Sequence, residues 1–485
     1  MKRTKKAVLR GICAALSIVS LSGAFFGCNA DRTTNDPQTE QELTETDMPK
    51  IVYEPMEIEE VHSLSFDVIG GKDVMPISGY YGPYLTSYSY NGEAQPDMIN
   101  DTYYRLIKEC GVNVICYTPT NYASKPDAAL KMLELGDRHG IGCFVTDTKI
   151  SSGEITGAEA AERIQNYSKY ASFCGVHVVD EPFLKDVVGD GSREMTSYVP
   201  VFDLLKSLGV VAGSNLLPST SFHTNEGFEA YAEKFAEICD APYISFDYYL
   251  FDKTKNVKDY FYNLSVYREA ANRAGVPLWV FVQAGSQWND ASNRFDSEKP
   301  YYPDEGQFKW NVNTALAYGA KGIEYFPLIQ PYWFAWAEST PFDFERNGLI
   351  GAWGGKTQWY GYAQDLQPHI AAIDEVLMNS VNRGVLVSGR KAIKETVRSS
   401  CILEGTSWRE LSSITGSAMV GCFNYQGKTA LYVVNYDMKE TETVQLTFLD
   451  RYDFYVIQDA EKTHYRETAL DLTMQAGEGV LIVFE

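Results

Sequence analysis

Residues Cys174–Pro182 read CGVHVVDEP. The run between Gly175 and Pro182 is apolar and rich in valine, which disfavours helix, and proline ends it. Consecutive apolar positions, rather than alternating ones, suit a strand covered on both faces, as in a parallel sheet under helices. The run closes on Asp180-Glu181, two carboxylates that a buried strand tolerates where it emerges at its end. A both-faces-buried strand needs similar neighbours, and seven are found. They are Pro76–Tyr84 (PISGYYGPY), Val112–Thr118 (VNVICYT), Ile141–Asp147 (IGCFVTD), Gly209–Asn215 (GVVAGSN), Pro242–Tyr249 (PYISFDYY), Pro277–Gln283 (PLWVFVQ) and Lys321–Pro327 (KGIEYFP).

Helix-period segments lie between these runs. In Thr156–Phe173 a Thr156-x-x-Glu159 box precedes Ala160, Ile164, Tyr167 and Ala171 on one stripe; in Phe228–Cys239, Phe228, Tyr231, Phe235 and Ile238 do the same. Glycines that stop helices precede several strands: Cys110-Gly111, His139-Gly140, Leu208-Gly209 and Tyr318-Gly319. The last helix of this series is expected at Gln358–Asn382. Eight strand–helix units imply a (β/α)8 TIM barrel of the α/β class. An open doubly wound sheet is disfavoured, because the first strand lacks a G-x-G-x-x-G turn and the count is eight.

From Val385 the pattern changes to short alternating segments, Ala418–Asn424, Thr429–Tyr436, Thr443–Phe448, Phe454–Ile457 and Gly479–Phe484, with Gln426-Gly427 as a hairpin turn. This reads as a C-terminal all-β, sandwich-like module over residues 385–485. The barrel then occupies residues 63–384.

The other end of the chain carries a processing signal. Lys2, Arg3, Lys5, Lys6 and Arg10 precede an apolar run from Ile12 to about Phe26, too short for a mature spanning helix. It ends at Ala24-Phe-Phe-Gly-Cys28, which resembles a bacterial lipobox, so residues 1–28 read as a signal peptide with Cys28 as the lipidated residue. A plain signal peptide cut nearby is the other reading. Residues 29–62 form an acidic tether: ten acids and two bases fall between positions 29 and 60. Removing the five signal bases would take the net charge from −22 to −27. The protein is expected outside the cell, held at the membrane through the lipid alone. So acidic a chain argues against nucleic-acid binding. The seven remaining cysteines are odd in number and scattered, which suits buried thiols rather than a disulfide framework.

In a (β/α)8 barrel, catalytic groups sit at the C-terminal ends of the strands. Those ends carry Tyr80 and Tyr81, Asp147, Asp180-Glu181, Asn215, Asp247-Tyr248-Tyr249 and Gln283, with Glu324 in the eighth strand. The set holds carboxylates, amides and tyrosines, with no Ser–His pair and no metal triad. No cofactor or metal is implied. Carboxylates beside aromatic rings suit glycoside hydrolysis: a carboxylic acid protonates the leaving oxygen, and aromatic faces stack on sugar rings. The loops Ser286–Asp304 and Gln330–Gly348 add Trp288 and Trp333 as candidate sugar contacts. His177, the only histidine within a strand, reads as a core or supporting residue.

The motif Gly175-Val-His-Val-Val-Asp180-Glu181-Pro182 resembles the fourth-strand motif of clan A (β/α)8 glycosidases, in which an Asn-Glu-Pro supplies the acid/base glutamate. Residues Ala315–Phe326, with Asn347-Gly-Leu-Ile-Gly351 and Lys356–Tyr360, are similar to segments of family 42-like β-galactosidase barrels. The resemblance implies that Glu181 is the acid/base. Two departures stand out. The seventh strand ends in Gln283, where clan A has its nucleophilic glutamate, and Asp180 replaces the asparagine. The Asp-Glu pair resembles family 20 and family 123 hexosaminidases, where the aspartate orients the substrate's own 2-acetamido group. Asp180 would then be the orienting residue, or an acceptor for a ring hydroxyl; Glu324 is the candidate for a direct nucleophile or base, and Asp247 the third carboxylate. The substrate class expected is an oligosaccharide or polysaccharide. The competing reading is a non-catalytic carbohydrate-binding lipoprotein on a glycosidase-like barrel.

Overall fold

The computed structural model describes residues 60–85, 89–90, 93–94, 96–182, 198–251, 256–285, 302–331 and 347–485. All eight expected barrel strands are present: β1 (Ile77–Gly79), β2 (Val114–Ile115), β3 (Gly142–Thr146), β4 (Phe173–Asp180), β5 (Val211–Asn215), β6 (Ile244–Phe246), β7 (Leu278–Gln283) and β8 (Gly322–Phe326). They are parallel, in the order β5-β4-β3-β2-β1-β8-β7-β6. The two ends of that order meet where Leu216 N–H donates to Ser245 C=O at 3.0 Å and Leu216 bridges Phe246, which closes the barrel.

The helices are α1 (Asp101–Glu109), α2 (Pro126–His139), α3 (Gly157–Tyr167), α4 (Val199–Ser207), α5 (Asn225–Cys239), α6 (Val257–Ala274), α7 (Glu305–Ala317) and α8 (Gln358–Met378). Side-chain caps start several of them, satisfying N–H groups that have no partner within the helix. Asn100 caps α1, Thr224 caps α5 and Asn256 caps α6. The reciprocal capping box is Asp304 with Gln307 at α7. Thr156 does begin α3, but its hydroxyl makes no capping bond. The stop glycines behave as expected: Gly111, Gly140, Gly209 and Gly319 all have positive φ. The last helix ends at Met378 rather than Asn382, because the residues from Ser380 onward pair as a strand with 418–425.

Two layers of rings fill the barrel interior. Phe66, Phe144, Tyr243 and Trp279 close the N-terminal end; Tyr80, Tyr81, Tyr117 and Phe281, with Cys116, pack towards the C-terminal mouth. The polar groups Ser78, Ser245 and Glu324 lie buried within the same barrel.

The C-terminal module is antiparallel: β9 (Ser380–Ser388), β10 (Leu411–Thr415), β11 (Ala418–Tyr425), β12 (Lys428–Asn435), β13 (Glu442–Gln458), β14 (Glu461–Met474) and β15 (Gly479–Phe484). The expected segments 443–448 and 454–457 are two halves of the single strand β13. A register shift between Thr447 and Tyr452 separates them, and the first half pairs with β10 while the second pairs with β15. Gln426 and Gly427 turn the β11–β12 hairpin, both at positive φ. One face of the sheet builds the module's own core, including Leu431, Phe448, Phe454 and Ile482. The other face presents Met419, Phe423, Tyr432 and Tyr436 to the core it shares with the barrel helices.

That junction is close. A Cβ added to Gly421 would sit 2.4 Å from the Ala317 carbonyl oxygen, so only glycine lets β11 approach α7. Tyr432 O–H donates to Asn313 Oδ1 at 2.7 Å, and Asn313 Nδ2 to Gly477 C=O at 2.8 Å. Arg268 of α6 donates through Nε to Asn382 Oδ1 and through Nη2 to its carbonyl, both at 3.0 Å. Trp310 of α7 is fully buried among Tyr260, Phe261 and Tyr436. Trp310→Ala is therefore expected to lower unfolding free energy by about 3–5 kcal/mol, and Trp310→Phe by much less. Urea denaturation checks this; a loss under about 1 kcal/mol for the alanine variant would show that the shared core is not a core.

Candidate active site

Three carboxylates gather at the C-terminal mouth, and one asparagine joins them. Asp180 and Asn215 are paired across β4 and β5. Asn215 Nδ2 donates to Asp180 Oδ1 at 3.1 Å and to Asp247 Oδ1 at 3.2 Å. The backbone carbonyl of the same asparagine accepts the N–H of Glu181 at 2.9 Å. Glu181 itself adopts a left-handed backbone, φ 46°.

A strand irregularity makes this possible. Simple alternation from His177 would place Val179 and Glu181 on its side of the sheet. Instead the β4–β5 register shifts between His177 and Val179. Val178 and Val179 both join the outer core, and Asp180 rejoins His177 above Tyr80.

Rings floor the mouth. Tyr80 stacks on Tyr117 with centroids 4.5 Å apart and approaches His177 at 5.8 Å, while Tyr117 lies 4.8 Å from His177. The Tyr80 hydroxyl donates to Asp180, and Tyr249 bonds Asp247 and rests on Phe326 at 5.0 Å. Asp180 is accessible to solvent, yet protein crowds it on the remaining sides. That loss of hydration raises its pKa, against the lowering effect of Asn215 and Tyr80. Burial pushes His177 down to about 4, so it is neutral at physiological pH. Burial also holds Tyr80 and Tyr249 protonated, and the nearby carboxylates reinforce this; Tyr249 feels Asp247, Glu181 and Asp180. At neutral pH the tyrosines are therefore donors aimed at carboxylates.

The remaining sequence candidates are placed as follows. Asp147 is turned into the fold: both its oxygens accept from Arg163 Nη1, at 3.0 and 2.9 Å, Tyr167 O–H donates to it at 2.6 Å, and it caps the turn at Thr148. Its lone pairs are filled, which takes it out of the sugar-binding set. Gln283 is likewise consumed by backbone: Oε1 accepts from Phe251 N–H at 2.9 Å, and Nε2 donates to Phe251 and Gly285 carbonyls at 3.1 and 2.8 Å. Tyr248 points outwards, its hydroxyl on the Asn256 carbonyl and its ring near Tyr260. Alternation allows one tyrosine of the pair at the mouth, and that one is Tyr249. Tyr80 and Tyr81 are buried beneath the carboxylates rather than presented as open platforms. Trp288, Trp333 and Cys28 lie outside the described residues.

Glu324 sits inside the barrel. Ser78 Oγ donates to its Oε1 at 3.2 Å and Ser245 Oγ to its Oε2. Tyr117 and the helix residue Tyr231 were not among the expected site residues. Tyr117 lies one residue from the end of the run Val112–Thr118, where the strand-end rule would have found it.

No family model matches the chain, and no curated protein matches it. Solved structures do. A beta-galactosidase from Bacillus circulans sp. alkalophilus matches with a TM-score of 0.52 at 9% identity, over 85% of this chain and 99% of that one. Gan42B, a GH42 beta-galactosidase from G. stearothermophilus, matches with a TM-score of 0.51 at 8% identity, over 88% and 100%. This chain spans 62% of a beta-galactosidase from the psychrophilic Marinomonas ef1, which covers 63% of this chain with a TM-score of 0.42 at 11% identity. The barrel-plus-module architecture is thus that of glycoside hydrolases, as the sequence resemblance implied. At such identities the likeness is one of fold.

Glu324 supplies a pH test. Burial pushes it up to about 7 from an ordinary 4.5, while Ser245, Cys116 and Ser78 hydrogen bonds pull it down and Asp247 adds a further rise. Between those two values the native state holds a proton that the unfolded chain has released. Stability therefore falls as pH rises through that window and levels off above it. Glu324→Gln cannot ionise, so its stability relative to wild type should climb by up to about 3 kcal/mol across the same window. Parallel stability–pH curves for the two proteins would contradict this.

Proposed function

We propose that this protein is an exported, lipid-anchored glycoside hydrolase acting on 2-acetamido sugars with the help of the substrate's own acetamido group. The observation that carries the reading is the Asn215 bridge between Asp180 and Asp247 beside Glu181, at the mouth of a glycosidase-like barrel. The fixed, neutral Gln283 favours this mechanism over one with a nucleophile on the seventh strand.

The steps follow from the groups present. Glu181 gives its proton to the glycosidic oxygen as the bond to the anomeric carbon breaks. Asp180 accepts the acetamido N–H, which aligns the acetamido carbonyl oxygen and stabilises the positive charge it acquires. That oxygen bonds the anomeric carbon, giving a cyclic oxazolinium ion. Glu181, now a carboxylate, takes a proton from water; the water oxygen bonds the anomeric carbon, and the ring opens to the free sugar with the acetamido group restored. The raised pKa of Asp180 has a use here: a carboxylate short of hydration binds a donor more strongly. Asp247, held by Asn215 and Tyr249, is the third carboxylate close to the developing charge.

The anchored location rests on the basic N-terminus, the apolar run and Cys28. Export would place the barrel outside the cell, with a poly- or oligosaccharide as its substrate.

Glu181→Gln should lower kcat/KM on unactivated 2-acetamido glycosides by roughly 10²–10⁴-fold, and Asp180→Asn by a comparable factor. Both follow from steady-state kinetics with a panel of glycosides. Should wild type cleave none of them while wild type and Glu181→Gln bind sugar equally, the non-catalytic carbohydrate-binding reading replaces this one. Fractionation of cells making Cys28→Ser tests the anchor: the protein should leave the membrane fraction, and retention there would count against lipidation.

A further inference from the structure

We propose that Tyr231, a helix residue on the outside of the barrel, is a positioning residue for Glu181. The inference rests on the reading of Glu181 as the acid. It begins from backbone strain. Glu181 stands at φ 46°, a conformation a non-glycine residue keeps only where its surroundings over-determine it.

The backbone is held just before Glu181 and one residue after it. Its own N–H donates to Asn215 C=O at 2.9 Å. On the far side, the Tyr231 hydroxyl donates to Pro182 C=O at 2.8 Å. The same hydroxyl accepts the Leu217 N–H at 3.5 Å, and Tyr267 O–H donates to Leu217 C=O at 2.5 Å. Tyr231 thus ties the segment after β4 to the segment after β5, with Tyr267 bracing the second. The Tyr231 ring has no freedom to drift: it is fully buried and packs on Phe222 at 4.9 Å. Tyr267 stacks on Phe246 of β6 at 4.5 Å. The Tyr231 hydroxyl also lies within the fields of Glu181 and Asp247. A phenol on α5 therefore fixes a carbonyl that a helix-to-sheet contact would not otherwise need.

A residue that acts through the acid should matter only when the acid matters. Dinitrophenolate leaves without a proton; phenolate leaves poorly without one. Tyr231→Phe keeps the ring and its packing. On phenyl 2-acetamido glycosides it should lower kcat/KM about 10- to 100-fold, and on the dinitrophenyl analogues kcat/KM, which reports only the steps up to departure of the leaving group, should change less than about twofold. Equal losses on both leaving groups, or no loss on either, would overturn the proposal.

A stability cycle decides the same point without activity. Glu181→Gly relieves the left-handed strain. Its effect on Tm should be more favourable in the wild-type background than in Tyr231→Phe, because without the Tyr231 bond residue 181 is free to leave the strained conformation unaided. Identical effects in the two backgrounds would overturn the proposal. If wild type cleaves neither glycoside, the hydrolase reading falls while this cycle still settles whether Tyr231 holds Glu181.

Discussion

Asp180 and Asp247 share one donor at the barrel mouth, the neutral amide of Asn215. One Nδ2 group carries two hydrogens, and each carboxylate takes one. The arrangement makes demands on the rest of the fold. Asn215 ends β5, and Asp247 follows β6, the two strands where the barrel closes. The amide can reach both partners only if that seam forms in register. Asp180 joins them only because β4 carries an irregularity before it. Fold closure and site assembly are therefore one event, and the backbone carbonyl of Asn215 extends the constraint to Glu181.

Beneath this layer the barrel is filled rather than hollow. Tyrosine serves two needs there. Its ring supplies packing volume, and its hydroxyl supplies a donor for a carboxylate that would otherwise lose hydration unpaired. Tyr80 under Asp180 and Tyr249 on Asp247 are of this kind. Other tyrosines build the helices and the module junction, as Tyr260, Tyr318 and Tyr432 do. Glu324 is an interior carboxyl satisfied by Ser78 and Ser245 rather than open to a substrate.

The eight strands were legible because each is a mostly apolar run with glycine or proline at or near its edge, and Asp180, Glu181, Asn215 and Asp247 were legible because they fall at the ends of those runs. What lay hidden depended on single-residue shifts. The irregularity in β4 exchanges the faces of Val179 and Asp180, and no pattern in VHVVDEP reveals it. Asp147 and Asp247 look alike as strand-end acids, but only Asp147 has Arg163 and Tyr167 of α3 to fill its oxygens. Gln283 is drawn away by the backbone of Phe251 and Gly285. In the module, β14 escaped notice because its first nine residues face solvent and only Leu470, Leu472 and Met474 at its end alternate inward. Tyr231 reads in sequence as one more apolar position on a helix stripe; its second role comes from its hydroxyl, which periodicity does not see.

In the proposed mechanism the substrate's acetamido group, aligned by Asp180, takes the place of the nucleophile that the seventh strand lacks. The anomeric configuration of the first product formed by wild-type enzyme, followed by proton NMR before mutarotation, tests this most directly. Two successive displacements at the anomeric carbon require retention of configuration. Retention with a 2-acetamido substrate is the expected result; an inverted first product would contradict the account, because it would require water to attack directly.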